Sequence, residues 1–281
     1  MQHKEVMLFM PYAKIDDSLS LYYHIKGDGL PVVFIHPFVM GHNVFLHQEE
    51  LADRYKTIFF DLAGHGRSSK GNKPVTIRGL AEDLKKMLDE LGIEKVVLCG
   101  YSYGGLVAQE FAMKYPERSE ALILSGGFSK IDTLIPKFII KLVMLMVKFG
   151  QVSLAAKWQA KFHKGDPGDE KKIFEYAKRS DAQRCYEYCK AGLQYDSTDS
   201  LGRLELPILL VYGSLEKPMH HYRIPFQKKT PQTQVVYIKS GTHQLPPRSY
   251  PEFNAILDRF LQPLNERFKL ESNMKKEAGL G

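Results

Sequence analysis

The first 128 residues alternate between short apolar runs and amphipathic stretches. Residues 31–35, 56–60, 96–100 and 121–124 are rich in β-branched and aromatic side chains, as expected for strands buried on both faces of a sheet. Residues 77–91 place apolar side chains at helical spacing, and Gly92 is positioned to end that helix. Strands alternating with helices predict a parallel sheet that has helices on both faces.

The alternation stops at about residue 130 and resumes after residue 200. The intervening segment offers helical patterns over 132–149, 152–163, 169–179 and 181–194 but no strand. Beyond it we predict strands at 207–212 and 234–238, a helical stretch at 219–229, a closing helix from about Pro251 to Leu261, and a frayed polar tail from Glu266. The predicted organisation is a core of residues 1–128 and 201–281 with an inserted helical lid at 129–200.

Two more strands are predicted at the start of the chain. Residues 5–13 and 19–26 flank a turn at Asp16-Asp17, which is typical of a β-hairpin. Residues 43–53 are expected to form a weak helix. With the hairpin, the predicted strands number eight.

Composition and charge exclude several function classes. The 281 residues are 44% hydrophobic and 25% charged, with a formal net charge of +7, which is ordinary for a soluble globular protein. The tightest lysine clusters are only pairs, such as Lys171-Lys172 and Lys228-Lys229, so we expect no nucleic-acid partner. The most apolar run, Phe138 to Val147, is too short to span a bilayer and contains Lys141. We therefore expect no stable membrane insertion.

Cysteine usage and the N-terminus point to a reducing compartment. Cys99 lies in an apolar strand, while Cys185 and Cys189 are four residues apart on a predicted helix without a third ligand nearby. We predict neither a metal site nor a cofactor. The first residues lack the features of a signal peptide, and the expected location is the cytoplasm.

The sequence Gly100-Tyr101-Ser102-Tyr103-Gly104 matches the pattern G-x-S-x-G between a predicted strand and a predicted helix. In such a sharp turn the serine projects its Oγ, and a Cβ at either glycine would crowd the backbone. The start of the following helix directs free N–H groups toward charge that develops during acyl transfer. Ser102 is therefore the candidate nucleophile.

A serine hydroxyl needs a base at neutral pH, and that base needs an acid to orient it. His243 follows the last predicted strand in a turn of small residues, at the sheet edge where open parallel sheets place their sites. Among the ten histidines, it is the best placed to act as the base.

From about residue 5 to 263, the chain resembles the α/β-hydrolase superfamily, in its lid-bearing branch of esterases and lipases. The resemblance depends on four features in family order: His36-Pro37-Phe38, Asp61-x-x-Gly64-His65-Gly66-x-Ser68, the turn at Ser102, and Gly241-Thr242-His243. It implies a mostly parallel eight-stranded α/β-hydrolase sheet with helices on both faces and an inserted helical lid.

The resemblance also assigns roles to individual residues. Ser102 would be the nucleophile and His243 the general base, with the oxyanion hole formed by the backbone N–H groups of Phe38 and Tyr103. Pro37 stands where relatives usually carry glycine, but the donor is the next residue, so the hole is retained. The loop from Asp61 to Ser68, with its His65, and His36 are expected to be structural.

The acid is where the sequence departs from the family pattern. Relatives carry an aspartate three residues after the glycine that ends the seventh strand, whereas this chain has Glu216 there. We predict Glu216 as the acid. The alternatives are Asp132, beyond the sixth strand, or no working acid, whereas Asp196 and Asp199 are expected at the lid surface.

A serine nucleophile argues against dehalogenase and epoxide hydrolase chemistry, whose relatives attack with aspartate. Carboxylesters, thioesters, lactones and carbon–carbon bonds beside a ketone remain. Phe38, Tyr101 and Tyr103 are predicted to contact the substrate. Most apolar residues of the first lid helix are expected to pack the lid onto the core: Leu134, Ile135, Phe138, Ile139, Leu142, Leu145, Met146 and Phe149.

The prediction is a cofactor-independent serine hydrolase of carboxylesterase type that cleaves a small-molecule acyl substrate through an acyl-enzyme. Two other functions stay open. The chain fits a ligand-sensing or signalling protein that kept the fold with weak turnover, and the same residues fit a cofactor-free perhydrolase. The sequence does not predict the acyl specificity or the oligomeric state.

Overall fold

The structure, a computed structural model, describes residues 11–277 and is built on one sheet of eight strands. The strands are β1 (Tyr12–Lys14), β2 (Ser20–Lys26), β3 (Pro31–Ile35), β4 (Lys56–Phe60), β5 (Val96–Tyr101), β6 (Ser119–Ser125), β7 (Ile208–Gly213) and β8 (Thr233–Ile238). Their order is β1-β2-β4-β3-β5-β6-β7-β8. The hairpin β1–β2 and the pair β2–β4 are antiparallel, and the other pairs are parallel. The predicted fold class is confirmed.

Helices connect most of the parallel strands, and two more follow β8. They are α1 (Ile77–Glu90), α2 (Gly104–Lys114), α3 (Leu134–Lys148), α4 (Val152–His163), α5 (Asp169–Ala177), α6 (Ala182–Gln194), α7 (Arg223–Lys229), α8 (Leu245–Arg248) and α9 (Tyr250–Glu277). Strands β3, β5 and β7 are buried along their whole length. This burial explains why their sequences are continuously apolar instead of alternating.

Three predicted elements ahead of the closing helix differ from the structure. The first strand begins at Tyr12, and residues 5–10 of the predicted strand lie outside the described residues. Residues 42–53 form 3₁₀ turns rather than an α-helix. The stretch predicted as one helix at 219–229 consists of a 3₁₀ turn, Lys217–Tyr222, followed by α7.

The closing helix is much longer than predicted. It continues to Glu277, so the prediction of a frayed tail from Glu266 is wrong for the described residues. Within this segment the side chain of Asn265 accepts a hydrogen bond from the N–H of Leu30 (3.0 Å) and donates one to the carbonyl of Arg54 (3.1 Å). Arg267 forms an ion pair with Glu120. These contacts fix a polar segment whose sequence alone gives little sign of order.

Four helices, α3 to α6, lie between β6 and β7, where the lid is predicted. Helix α3 packs against α6, and α4 packs against α5. Polar contacts fasten α5 to the segment after β3, since His47 Nε2 lies 2.8 Å from Asp169 Oδ2. The boundaries 129–200 of a separate lid remain a prediction.

The apolar residues of α3 do not mostly pack onto the core, contrary to the expectation. Ile140, Val143 and Val147 are buried. The exposed large side chains on this segment are Leu134, Ile135, Phe138, Ile139, Leu145 and Phe149. Helical periodicity correctly predicts the helix, but α3 is apolar on more of its circumference than its neighbours cover.

No helix in the described part of the chain combines the length and apolar character needed to cross a membrane.

Candidate active site

Ser102 lies in a sharp turn between β5 and α2. Its backbone φ is +52°, in the left-handed region that residues other than glycine rarely adopt. The N–H of Ser102 donates to the carbonyl of Ser125 at the end of β6 (2.8 Å), which holds the strained turn against the sheet. The backbone geometry is that of a nucleophile elbow.

The flanking glycines are required by close packing. A Cβ built at Gly104 would lie 2.0 Å from the carbonyl oxygen of Ile35, and one at Gly100 would lie 2.5 Å from Cα of Gly105. Both contacts involve backbone atoms, which cannot move aside as a flexible side chain would. The elbow therefore fits against β3 only with glycine at these positions.

The side chain of His243 lies beside Ser102. The loop after β8 places Nε2 of the imidazole 2.8 Å from Oγ of Ser102. On the other side of the ring, Nδ1 lies 2.7 Å from Oε1 of Glu216, which follows β7. Residues from three separate strand ends thus form a continuous row of serine, histidine and carboxylate.

Two glycines allow this approach. A Cβ at Gly126, whose φ is +58°, would lie 2.5 Å from Cε1 of His243. A Cβ at Gly213 would lie 2.4 Å from the backbone of Gly241, so the loops after β7 and β8 can approach this closely only because position 213 lacks a side chain. Glycine at these strand ends brings the imidazole of His243 within reach of Ser102.

The contact between Glu216 and His243 is short and runs through one carboxylate oxygen. Nδ1 of His243 lies 2.7 Å from Oε1 of Glu216, whereas Oε2 has no hydrogen-bond partner among the described residues. Burial acts to lower the pKa of His243, whereas the charge of Glu216 and its contact with the ring raise that pKa, and the net result lies above the ordinary value. The interaction is therefore mainly that of a carboxylate stabilising an imidazolium.

The alternative acid, Asp132, is engaged elsewhere. Its Oδ1 lies 3.3 Å from Nε2 of His221, and both side chains are exposed. Asp196 and Asp199 are also exposed, as expected for surface residues. Of the carboxylates considered from the sequence, Glu216 is the one that the structure brings to His243.

The predicted oxyanion donors are Tyr103, which follows Ser102 in the elbow, and Phe38, in the segment after β3. Neither the backbone N–H of Phe38 nor that of Tyr103 donates to another group within the part of the chain described. The two rings pack edge to face, with centroids 5.3 Å apart. Both N–H groups are thus available to an external acceptor.

Two buried histidines hold the segment that carries Phe38. Nδ1 of His36 donates to the carbonyl of Pro37 (2.8 Å), and its Nε2 accepts from the N–H of Leu62 (2.9 Å). Nε2 of His65 accepts from the N–H of Val39 (2.9 Å). Burial lowers the pKa of His36 to about 3 and that of His65 to about 4, so both rings are neutral. Their contacts fit the structural roles expected from the sequence.

A cavity of about 430 Å³ opens onto Ser102. The three residues predicted to contact substrate, Phe38, Tyr101 and Tyr103, line it. The remaining wall is mainly apolar and comes from α3, α4 and the loops after β6 and β7: Phe128, Ile131, Ile135, Pro136, Ile139, Ile140, Trp158, Phe162, Met219 and Tyr222. Such a cavity favours an apolar ligand with few polar contacts.

His163 is a cavity residue that sequence reasoning missed. Its Nδ1 donates to the carbonyl of Gln159 (2.7 Å), which leaves Nε2 to accept from the hydroxyl of Tyr101 (2.9 Å). Burial lowers the pKa of His163 to about 4. The ring of Tyr101 in turn packs against that of His243, with centroids 5.5 Å apart. No spacing along the chain indicates this contact between α4 and the elbow.

The sequence model of the alpha/beta hydrolase fold family matches residues 31–245. The chain belongs to this family. Within the family, it is 36% identical over 124 residues to a putative carbamate hydrolase, RutD, of Azorhizobium caulinodans, and the match covers 44% of this chain and 46% of that protein. It therefore spans less than half the length of that relative.

Two longer matches cover most of the chain. The 3-oxoadipate enol-lactonase 2 of Acinetobacter baylyi is 27% identical over 216 residues, which is 73% of this chain and 81% of that protein. The structure of a thermophilic esterase from Thermogutta terrifontis superposes with a TM-score of 0.76 at 25% identity, over 91% of this chain and 98% of that one. Most of the chain thus has a counterpart of the same fold among solved structures.

Proposed function

We propose that this alpha/beta hydrolase is a serine hydrolase that cleaves an ester-type bond through an acyl-enzyme. The observation that carries the proposal is the row formed by Ser102 Oγ, the imidazole of His243 and the carboxylate of Glu216, with separations of 2.8 and 2.7 Å. A hydroxyl in contact with an imidazole whose far nitrogen faces a carboxylate is the arrangement that nucleophilic acyl transfer requires.

The proposed reaction has two halves. In the first, His243 accepts the Ser102 proton as Oγ attacks the carbonyl carbon, and the imidazolium then gives that proton to the leaving alkoxide, thiolate or lactone oxygen. In the second, His243 accepts a proton from water, whose oxygen attacks the acyl carbon. The imidazolium then returns that proton to Oγ of Ser102 as the bond between Oγ and the acyl carbon breaks and the acid leaves. Glu216 stabilises the imidazolium in both halves.

The oxyanion of each tetrahedral intermediate would accept hydrogen bonds from the backbone N–H groups of Phe38 and Tyr103. Both groups are free of partners among the described residues, and Tyr103 begins the turn into α2, whose N-terminal end favours negative charge. In enzymes of this kind, loss of one such donor lowers the rate on the order of 100- to 1,000-fold.

The substrate class is proposed from the relatives and the cavity. The names carbamate hydrolase, enol-lactonase and esterase support hydrolysis of an ester-like bond. A cavity of about 430 Å³ with a mainly apolar wall supports an apolar acyl group of small or medium size. Carboxylesters, thioesters and lactones all fit this description.

Covalent labelling tests the nucleophile directly. A fluorophosphonate probe should modify Ser102, and p-nitrophenyl acetate should be hydrolysed by the wild type but not by Ser102→Ala. Mass spectrometry of the labelled peptide identifies the residue. The proposal fails if the probe leaves Ser102 unmodified and Ser102→Ala retains the wild-type rate.

A second candidate is a ligand-binding protein with slow turnover. The glutamate at position 216, where the family pattern has an aspartate, favours it, because a side chain one methylene longer has to orient the same imidazole. A wild type that binds an apolar ester in the cavity but hydrolyses it at the rate of the Ser102→Ala variant would support this alternative over the enzyme.

A further inference from the structure

A row of large apolar side chains on α3 faces solvent. Leu134, Phe138, Leu145 and Phe149 are 84%, 67%, 54% and 69% exposed. The last three follow Leu134 by 4, 11 and 15 residues. At these spacings the side chains lie on one side of α3, with Phe149 directly after its last residue. We call these four residues the apolar face of α3. An exposed apolar surface of this density marks a site of interaction.

The apolar face lies beside the residues of α3 that line the cavity at Ser102. Ile135 and Ile139 of the same helix are exposed and also line the cavity. Phe162 of α4 shares both properties. A molecule in contact with the apolar face therefore lies near the cavity.

The same segment is uniformly basic. Residues 133–165 contain six lysines, at positions 137, 141, 148, 157, 161 and 164, and no aspartate or glutamate. Lys141 and Lys148 lie 4 and 11 residues after Lys137 on α3. The three lysines therefore form a row along one edge of the apolar face. Among the described residues, the only one of the six that pairs with a carboxylate is Lys164, 3.3 Å from Glu170.

We propose that this surface docks the protein on an anionic lipid bilayer. The apolar face would enter the boundary between headgroups and acyl chains, as in helices that lie in the membrane interface, while the flanking lysines contact negative headgroups. The attachment is peripheral, since no helix within the described residues is suited to span a bilayer.

The charge distribution argues against a second copy as the occupant. A two-fold dimer through this surface would bring two lysine-rich segments without acidic residues against each other. Like charges juxtaposed in this way oppose association. A negatively charged lipid surface instead complements the segment.

Vesicle binding tests the proposal. The protein should sediment at low salt with vesicles of equal parts phosphatidylcholine and phosphatidylglycerol, and much less with vesicles of pure phosphatidylcholine. High salt should reduce its binding to the anionic vesicles. The Ser102→Ala variant should bind as well as the wild type, because docking does not depend on catalysis. The result of the vesicle experiment is therefore independent of whether the proposed hydrolase activity is correct.

Matched variants locate the surface. Leu134→Ser combined with Phe138→Ser should lower the partition coefficient roughly tenfold or more, whereas Leu270→Ser, at an exposed position of α9, should leave it unchanged. Circular dichroism of each variant checks that the fold is retained.

The charge is tested in the same way. Lys141→Gln with Lys148→Gln should weaken binding to anionic vesicles roughly tenfold or more. The control, Lys228→Gln with Lys269→Gln, removes the same number of positive charges away from α3 and should leave binding unchanged.

Two kinds of result would overturn the inference. One concerns vesicles: the wild type fails to bind anionic vesicles, or the control variants lose as much binding as the α3 variants. The other is a dimer in sedimentation equilibrium that Leu134→Ser with Phe138→Ser converts to a monomer, which would assign the apolar face to a second copy of the chain.

Discussion

The imidazole of His243 lies directly against the backbone of Gly126. A Cβ built on Gly126 would lie 2.5 Å from Cε1 and 2.7 Å from Nδ1 of that ring. The loop after β6 thus contributes to the position of the base without contributing a side chain. Any residue other than glycine must displace the ring from Ser102.

Gly126→Ala should therefore lower kcat on the order of 100-fold, because small displacements of a catalytic group have effects of that size. Gly92→Ala is the matched control. Gly92 has a similar φ of +64°, but a Cβ added there would have nothing within 4 Å. This variant should lose about 1 kcal/mol of stability from backbone strain with kcat unchanged. Equal losses of kcat in both variants would contradict the proposed role of Gly126.

Glu216→Gln should lower kcat roughly 100- to 10,000-fold, since an imidazolium without its carboxylate is less well stabilised. It should also move the pH profile. His243 acts as a base only when neutral, so kcat/KM rises with pH through its pKa, which lies above the ordinary value in the wild type. When the charge of Glu216 is removed, the effect of burial is no longer opposed, and the pKa of His243 should fall.

The acidic limb of kcat/KM in Glu216→Gln should consequently shift to lower pH. Asp132→Asn is the control, because Asp132 pairs with His221, and its profile should match the wild type. A Glu216→Gln profile that keeps its midpoint would show that this carboxylate does not act on His243.

Asp61→Asn should destabilise the fold by about 2–3 kcal/mol at neutral pH. The buried carboxylate of Asp61 accepts hydrogen bonds from the N–H groups of His42 (2.9 Å) and Arg67 (3.0 Å) and from the hydroxyl of Tyr176 (2.6 Å). Burial acts to raise its pKa, but the contacts with His42 and Tyr176 outweigh burial and lower it to about 2.

The sign of the pH dependence follows from that lowered pKa. The stabilisation by Asp61 is present above the unfolded-state pKa of about 4 and is lost as pH falls toward 2. Urea unfolding of wild type and Asp61→Asn should therefore give free energies that differ at pH 6 and converge as the pH approaches 2. If the difference in the free energy of unfolding between the two proteins stays constant with pH, the ionised carboxylate of Asp61 is not the cause of that difference.

Trp158→Ala should shift the preferred acyl chain toward greater length. Trp158 lines the cavity and packs edge to face on Phe162, with centroids 5.5 Å apart, so its removal extends the apolar space. The measurement is kcat/KM over a series of p-nitrophenyl esters. Leu154→Ala, on an exposed position of the same helix, should leave the preference unchanged. An identical chain-length profile for both variants would place the acyl group elsewhere.

The sequence predicts the centre of the sheet well because β3, β5 and β7 are buried along their whole length. A strand such as β3 must then be continuously apolar, and that pattern is visible without any knowledge of its neighbours. The positions of Ser102 and His243 are predictable because glycines mark a turn beside each of them. Both turns follow predicted strands, so both residues are expected near the carboxyl ends of strands.

Other features depend on contacts that no local pattern encodes. The continuation of α9 rests on Asn265, which binds backbone groups more than 200 residues away in the chain. The hydrogen bond between Tyr101 and His163 likewise joins an elbow to a distant helix. For α3, periodicity predicts the helix but not how much of its apolar surface the neighbouring helices cover.

Gly104 of the elbow packs so closely on Ile35 that a Cβ there would lie 2.0 Å from its carbonyl oxygen, so the position of Ser102 is tied to the spacing of the adjacent strands β3 and β5. Part of the cavity wall comes instead from α3 and α4, which are inserted after β6. Descendants of this chain can therefore reshape the cavity by altering the inserted helices while Ser102 and His243 keep their places.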